Sequence, residues 1–388
     1  MLSPQILLSA GEASGDMYAA RLAKALKHRI DAKIFGMGGD QMRGAGVQVI
    51  TDYHQVSVLG ITEILSHLPQ LVRAMRKLVA VAKERRPELA IVTDFPGFHL
   101  RLARKLKPLG VRNIYYICPQ FWAWRPWRVR VVRRRFALAL CIFPFEEKFF
   151  GEAGVPVKFI GHPLVGNVAA TQTKEQFFAK NGFTTSQPLV TILPGSRRSE
   201  WERHLSVLRQ ACVNIQGALP VQFVVAAAPG GGPALRESWP RDLRLKVVEG
   251  ETYDALAHAD ASIVSSGTAT VEAALLDAPM VVVYRVSPLT ALLAKPLVRT
   301  ENFGMVNLIA GREVVPELIQ EDFTPEKVAE ATLRLLRDPA AAAAMRAALS
   351  EVRRKLGPPG AVERAADAIA ALLGDTPGVA SVGSGNAS

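Results

Sequence analysis

Short apolar runs alternate with segments whose apolar residues recur at helical spacing from one end of the chain to the other. Gln5-Ile6-Leu7-Leu8 reads as an opening strand, and Ala19, Leu22, Ala23 and Leu26 then fall at i, i+3, i+4 and i+7, the stripe of a helix with one buried face. Further strand-length runs occur at Leu89–Thr93, Asn113–Ile117 and Leu138–Phe143, separated by helical segments. A second series begins near Leu189, with strands expected at Leu189–Leu193, Val221–Ala227, Ala261–Val264 and Met280–Tyr284. Leu205, Leu208, Cys212 and Ile215 mark a one-sided helix among them. This alternation predicts an α/β fold with parallel sheets.

Between Gly161-His162-Pro163 and Gln187-Pro188 polar residues replace the strand pattern, which suggests two domains, 1–165 and 166–344. At 388 residues the chain is too long for one ordinary core, and two doubly wound, Rossmann-like halves facing across a cleft are expected. Ligands of such sheets bind beyond the carboxyl ends of the strands. From about Pro339 the sequence turns Ala-, Leu- and Arg-rich, and a helix over 345–373 is expected to pack back on the first half. The Gly/Ser/Ala-rich stretch 375–388 has almost nothing large to bury and is expected to be a disordered tail.

Composition narrows the chemistry. Cys118, Cys141 and Cys212 are scattered and lack metal-ligand spacing, which suits a reducing compartment without disulfides. No GxxxxGK[ST], HExxH or Cys-x-x-Cys occurs, and Gly36-Met37-Gly38-Gly39 lacks the dinucleotide-fingerprint spacing, so neither a metal nor a cofactor is expected. No apolar run reaches the roughly 18 residues of a membrane span, and the first residues lack the basic region of a signal peptide. The net charge of +12 asks for a negative partner: nucleic acid, anionic lipid headgroups or phosphorylated substrates.

Several stretches could carry function. Ser9-Ala10-Gly11-Glu12-Ala13-Ser14-Gly15-Asp16 joins a strand to a helix like a phosphate cradle, yet holds two carboxylates. Pro194-Gly195-Ser196-Arg197 ends a strand with a glycine for close approach, a hydroxyl and a forked cation suited to phosphate; it also fits an ordinary strand-to-helix turn. Ser265-Ser266-Gly267-Thr268 opens a helix, offering free N–H groups and positive dipole. Glu272 follows one turn along, where a carboxylate can accept from ribose hydroxyls; the alternative is an N-cap and a surface glutamate. Together these two loops look like a nucleotide-diphosphate site. In the first half, Asp94 and His99 of Thr93-Asp94-Phe95-Pro96-Gly97-Phe98-His99 fit a base and its orienter, or a capping acid and a surface histidine. The tryptophans and arginines of Phe121–Arg128, continuing to Arg133-Arg134-Arg135, suit base stacking or a membrane interface, or simply a solvated basic helix. Leu68, Leu71, Val72, Met75, Leu78, Val79 and Ala82 form a helical stripe beside Arg73, Arg76 and Lys77, preceded by the apolar Val56, Leu59, Ile61, Ile64 and Leu65.

With "GEASGD" (11–16), "GMGG" (36–39), "FWAWR" (121–125), "FIGHP" (159–163), "LPGSR" (193–197), "SSGTATVEAAL" (265–275) and "NLIAGREVVPELIQ" (307–320) in this order, the sequence resembles the lipid-A-disaccharide synthases, inverting glycosyltransferases of the two-Rossmann GT-B architecture. The resemblance implies transfer of 2,3-diacylglucosamine from its UDP derivative to the 6-hydroxyl of 2,3-diacylglucosamine 1-phosphate (lipid X), with release of UDP. It implies donor binding by Gly195, Ser196, Arg197, Ser266, Gly267, Thr268, Glu272 and Asn307, and acceptor binding by Ser14, Gly15 and Asp16. The base stays open among Glu12, Asp94 and His99, because the family's Asp-x-Pro-Asp-Phe-Asn reads here with Gly97 and His99 in its last acidic and amide positions. A cytoplasmic enzyme attached peripherally to the anionic inner membrane is implied, with no nucleic-acid partner and a homodimer as the assembly to test. The alternatives are another UDP-sugar enzyme of the cell envelope, a glycosyltransferase or an epimerase, and a nucleic-acid-binding protein using the Trp/Arg segment.

Overall fold

The computed structural model describes residues 3–55, 64–124, 126–287 and 303–374, without the side chains of 64–67 and 124. The described residues divide into two compact units: those up to Pro163 together with those from Pro359, and those from Leu164 to Pro358. The tail 375–388 and the apolar residues Val56, Leu59 and Ile61 lie outside the described residues, as do the side chains of Ile64 and Leu65.

The first unit holds a seven-stranded sheet built from β1 (Gln5–Ala10), β2 (Lys33–Gly38), β3 (Gln48–Asp52), β4 (Leu89–Thr93), β5 (Arg112–Tyr116), β6 (Leu138–Cys141) and β7 (Val157–Phe159). Every pairing is parallel and the order is β3-β2-β1-β4-β5-β6-β7. Parallel strands covered by helices on both faces read as unbroken apolar runs, and all five residues of Leu89–Thr93 are buried. Gly36-Met37-Gly38 is part of a strand. A Cβ at Gly36 would land on the backbone of Leu8 in β1, so only glycine lets these two strands approach. β6 stops at Cys141, two residues short of the apolar run, because Pro144 begins a helix and a buried carboxylate takes the N–H groups of Ile142 and Phe143.

The second unit repeats the plan with β8 (Leu189–Leu193), β9 (Gln222–Ala227), β10 (Leu245–Glu249), β11 (Ala261–Ser265), β12 (Met280–Tyr284) and β13 (Glu317–Ile319), in the order β10-β9-β8-β11-β12-β13. The predicted helix stripes are buried in both units: Ala19, Leu22, Ala23 and Leu26 in the first, Leu205, Leu208, Cys212 and Ile215 in the second. In both sheets the order in which successive strands are added reverses at one pair of neighbouring parallel strands, β1/β4 and β8/β11, and such switch points form crevices beyond the strand ends.

The helical run expected over 345–373 is broken. The helix Pro339–Lys355 stays with the second unit, and Gly357-Pro358-Pro359-Gly360 ends it, both glycines having positive φ and the prolines lacking N–H groups. Only Ala361–Gly374 packs on the first unit. It is pinned there by the Arg29–Asp367 ion pair at 2.5 Å, by Arg112 donating to Leu372 O at 2.6 Å and by Arg364 donating to Ile160 O at 2.8 Å.

Candidate active site

Each switch point carries one set of the expected residues. In the first unit Ala10 at the end of β1 is registered with Thr93 at the end of β4, so the loops beginning at Gly11 and Asp94 lie side by side. Gly11 N donates to Asp94 Oδ1 at 2.9 Å. Side chains at Gly11 or Gly15 would overlap Phe95 and the Asp94 carboxylate, so both glycines are there for close approach. Asp94 and Phe95 both take left-handed backbone, φ 54° and 39°, a conformation that costs about 1–3 kcal/mol per residue and clusters at functional sites. Asp94 Oδ2 is buried and has no hydrogen-bond partner among the described residues. Burial is the main cause that pushes the Asp94 carboxyl up to about 8, the nearby Glu12 and Asp16 charges add to it, and the Gly11 N–H opposes it.

His99 is fully buried beneath this acid. Its Nδ1 lies 3.0 Å from Asp94 O, a contact that needs a proton on the ring, and its Nε2 then accepts from Ser9 Oγ at 2.8 Å. Burial lowers its pKa to about 4, so it is neutral with neither nitrogen facing solvent. Tyr115 Oη donates to the same Asp94 carbonyl at 2.8 Å. Glu12 and Ser14 are exposed on the loop. Asp16, by contrast, is buried: Oδ1 accepts from Gly39 N at 2.6 Å and Met42 N at 3.4 Å, and Oδ2 from Gln41 N at 3.0 Å. Its carboxylate therefore welds the "GEASGD" loop to the "GMGG" strand end, and does not face a sugar as the sequence suggested. Charged hydrogen bonds of this kind contribute about 1.5–3 kcal/mol each.

In the second unit Leu193 of β8 is registered with Val264 of β11, which sets Pro194-Gly195-Ser196-Arg197 beside Ser266-Gly267-Thr268. Gly195 has φ 127° and Gly267 φ 149°. Ser196, Arg197, Gly267 and Thr268 are exposed, and Gly267-Thr268 opens the helix Thr268–Leu275. Glu272 is half-buried, accepts from Tyr253 Oη at 3.2 Å, and has its pKa raised by burial. Asn307 is fully buried with its amide committed inward. Nδ2 donates to Val315 O at 2.8 Å and to Glu317 Oε1 at 2.6 Å, while Oδ1 accepts from Val314 N at 2.7 Å and Val315 N at 3.0 Å. Its amide therefore shapes the loop before β13, which differs from the donor contact expected of it.

Two further residues hold this site. Glu200 reaches back so that Oε2 accepts from Ser196 N at 2.9 Å, and a Cβ at Gly195 would come within 2.7 Å of its side chain. His204 is fully buried: Nδ1 donates to Pro194 O at 2.7 Å and Nε2 accepts from Arg285 N at 3.0 Å, tying the end of β8 to the end of β12. The signal for both lies in their i, i+4 spacing on the face of the helix Arg198–Ala218 that meets the loop.

The chain matches the lipid-A-disaccharide synthetase family over residues 6–371. It belongs to the lipid-A-disaccharide synthase family. The lipid-A-disaccharide synthase of Solibacter usitatus is 46% identical over 372 residues, covering 95% of this chain and 98% of the relative. That of Myxococcus xanthus is 41% identical over 377 residues, covering 95% and 98%. The fold is also that of the calicheamicin glycosyltransferase, at 19% identity and a TM-score of 0.60 over 97% of this chain and 100% of that one. The UDP-GlcNAc 2-epimerase of Neisseria meningitidis, solved with UDP-GlcNAc, has a TM-score of 0.59 at 13% identity over 95% and 99% of the two chains. The architecture is thus GT-B, shared by transferases and epimerases alike. The family assignment, not the fold, separates this lipid-A-disaccharide synthase relative from the epimerase and nucleic-acid alternatives: it is a glycosyltransferase.

Proposed function

We propose that the enzyme transfers 2,3-diacylglucosamine from its UDP derivative to the 6-hydroxyl of lipid X, with inversion at the anomeric carbon. The hydroxyl oxygen forms the new bond to that carbon as the bond to the UDP oxygen breaks. The hydroxyl proton passes to a base, and negative charge develops on the departing diphosphate. The observation that carries the reading is Asp94, an acid at the first switch point whose Oδ2 has no hydrogen-bond partner among the described residues; burial pushes its carboxyl up to about 8, the range of a working base. Asp94 is the base. His99 and Ser9 position it through its carbonyl, and the exposed Glu12 and Ser14 receive the acceptor sugar, with Gly15 leaving room beside Asp94. The diphosphate charge is met by Arg197 and by the N–H groups of Gly267 and Thr268, with Gly195 and Ser196 alongside and Glu272 toward the ribose; the Ser266 N–H is already given to Val283 O at 2.9 Å, so that residue holds the loop. Asp16 and Asn307 serve by holding these loops. Because Arg197 and a helix N-terminus supply positive charge, UDP release from UDP-diacylglucosamine and lipid X is expected to persist in excess chelator. Loss of release under chelation, or no disaccharide 1-phosphate among the products, would overturn the reading.

Diacylated substrates reside in membranes, and the enzyme is proposed to collect them at an anionic surface. Among the described residues no helix is long and apolar enough to cross a membrane. In the helix Ile64–Arg85, Met75, Leu78 and Ala82 are buried, whereas Leu68 and Val72 are 50% and 40% exposed beside the exposed Arg73 and Arg76. Exposed apolar side chains among cations suit reversible attachment to anionic headgroups. Flotation with anionic liposomes at low salt is expected to carry the protein upward, and Leu68→Asp with Val72→Asp to abolish this. Equal flotation of wild type and variant would remove the helix from the proposal.

A further inference from the structure

The Trp/Arg segment and the Gly161-His162-Pro163 stretch converge on one buried acid in the first unit. Glu146 belongs to the helix Pro144–Glu152 and is completely buried. Its Oε2 accepts from Ile142 N at 3.3 Å and Phe143 N at 3.2 Å, the ordinary work of an acid near a helix start. That work needs no burial, and removing a carboxylate from water is costly. The other oxygen does something else: Oε1 accepts from the indole Nε1 of Trp122 at 3.1 Å, in the turn Phe121–Trp124 beyond β5. Around it Trp122 meets Phe145 edge-on with centroids 4.9 Å apart, Phe145 stacks on Phe143 at 5.7 Å, and Phe143 packs on the ring of His162 at 5.5 Å.

The anchored turn lies one strand from Asp94. β5 is hydrogen-bonded to β4, and Tyr115 of β5 touches the Asp94 carbonyl. Directly after the turn, the Arg128 guanidinium sits 5.5 Å from the ring of Trp127 and 6.0 Å from that of Phe121, and Trp127 is 60% exposed. A cation beside an exposed indole at the edge that carries the base suits a phosphorylated sugar.

We propose that Glu146 is a positioning residue for the acceptor: through the Trp122 indole it holds the Trp127–Arg128 face in the orientation that receives the 1-phosphate of lipid X. This rests on the acceptor assigned above. A glutamine here keeps the shape but turns an NH₂ toward one set of donors, so it cannot satisfy both the indole and the backbone. Wild type, Glu146→Gln and Trp122→Phe are compared by titration with lipid X in mixed micelles and, separately, with UDP. The indole N–H resonance of Trp122, assigned by its loss in Trp122→Phe, and the thermal midpoint are recorded alongside. Expected are a shifted indole resonance in Glu146→Gln, lipid X binding weakened about tenfold in both variants, UDP binding unchanged, and no further loss in the double variant. Trp122→Phe leaves Glu146 in place and tests the link should Glu146→Gln fail to fold. Unchanged lipid X binding in Trp122→Phe, or equal weakening of lipid X and UDP, would overturn the proposal. Neither readout requires turnover, so failure of wild type to make disaccharide would count against the assigned reaction and leave this result legible.

Discussion

Replacing Asp94 with asparagine is expected to lower turnover by about 10²–10⁴-fold, the range of a lost general base, while making the protein more stable. The two effects share one cause. Burial raises the Asp94 carboxyl from its ordinary 3.8 to about 8, so between those values the folded chain holds a proton that the unfolded chain has released. Stability from this group is fully present below about pH 4 and is lost as pH rises through about 8, at about 1.4 kcal/mol per pH unit. Asparagine never ionises, so Asp94→Asn should match wild type near pH 4 and gain on it steadily toward pH 8, by several degrees in thermal midpoint. In wild type, kcat/KM should be about half-maximal near pH 8 and level off above it as the base loses its proton, and this limb should be missing from the residual activity of the variant. Turnover near wild type in Asp94→Asn would exclude it as the base and pass the role to Glu12, the exposed acid of the neighbouring loop. A fall in stability at pH 8 would instead show that the carboxylate is held by interactions stronger than its burial.

Arg197→Ala is expected to raise the donor KM and to lower kcat, each by about tenfold or more. One charged hydrogen bond to phosphate contributes about 1.5–3 kcal/mol, and charge on the diphosphate grows as UDP departs. The side chain is exposed, so the thermal midpoint should not move. Lysine should restore little, since a point charge does not replace a planar fork. Steady-state kinetics in donor concentration decide this: donor KM and kcat both within about twofold of wild type would remove Arg197 from the site.

The local pattern was a good guide wherever a residue's neighbours in sequence decide its state. Leu89–Thr93, Leu189–Leu193 and Met280–Tyr284 form strands as read, because a buried parallel strand is an apolar run closed by turn residues. Lys33–Gly38 does not read as a strand, since its glycines look like a loop, and the need for Gly36 arises from Leu8 on the next strand. The Ala-, Leu- and Arg-rich end reads as a helix over 345–373, but two prolines between glycines of positive φ divide it.

Residue type and order were likewise enough for the loops beyond the strands and for the family. The fate of each polar side chain was not legible there. Asp16 reaches Gly39 and Gln41, His99 is engaged by Ser9, and Glu146 finds Trp122. Glu12 and Asp16 belong to the same short motif, yet one is exposed and the other buried. The sequence by itself determined the two α/β units, the glycines that let loops approach, and the acids and cations available beyond the strands. Tertiary structure alone decided which of those polar groups stay open to a substrate. That depends on whether a donor from a distant segment has already taken each oxygen, and burial makes leaving one unmatched costly.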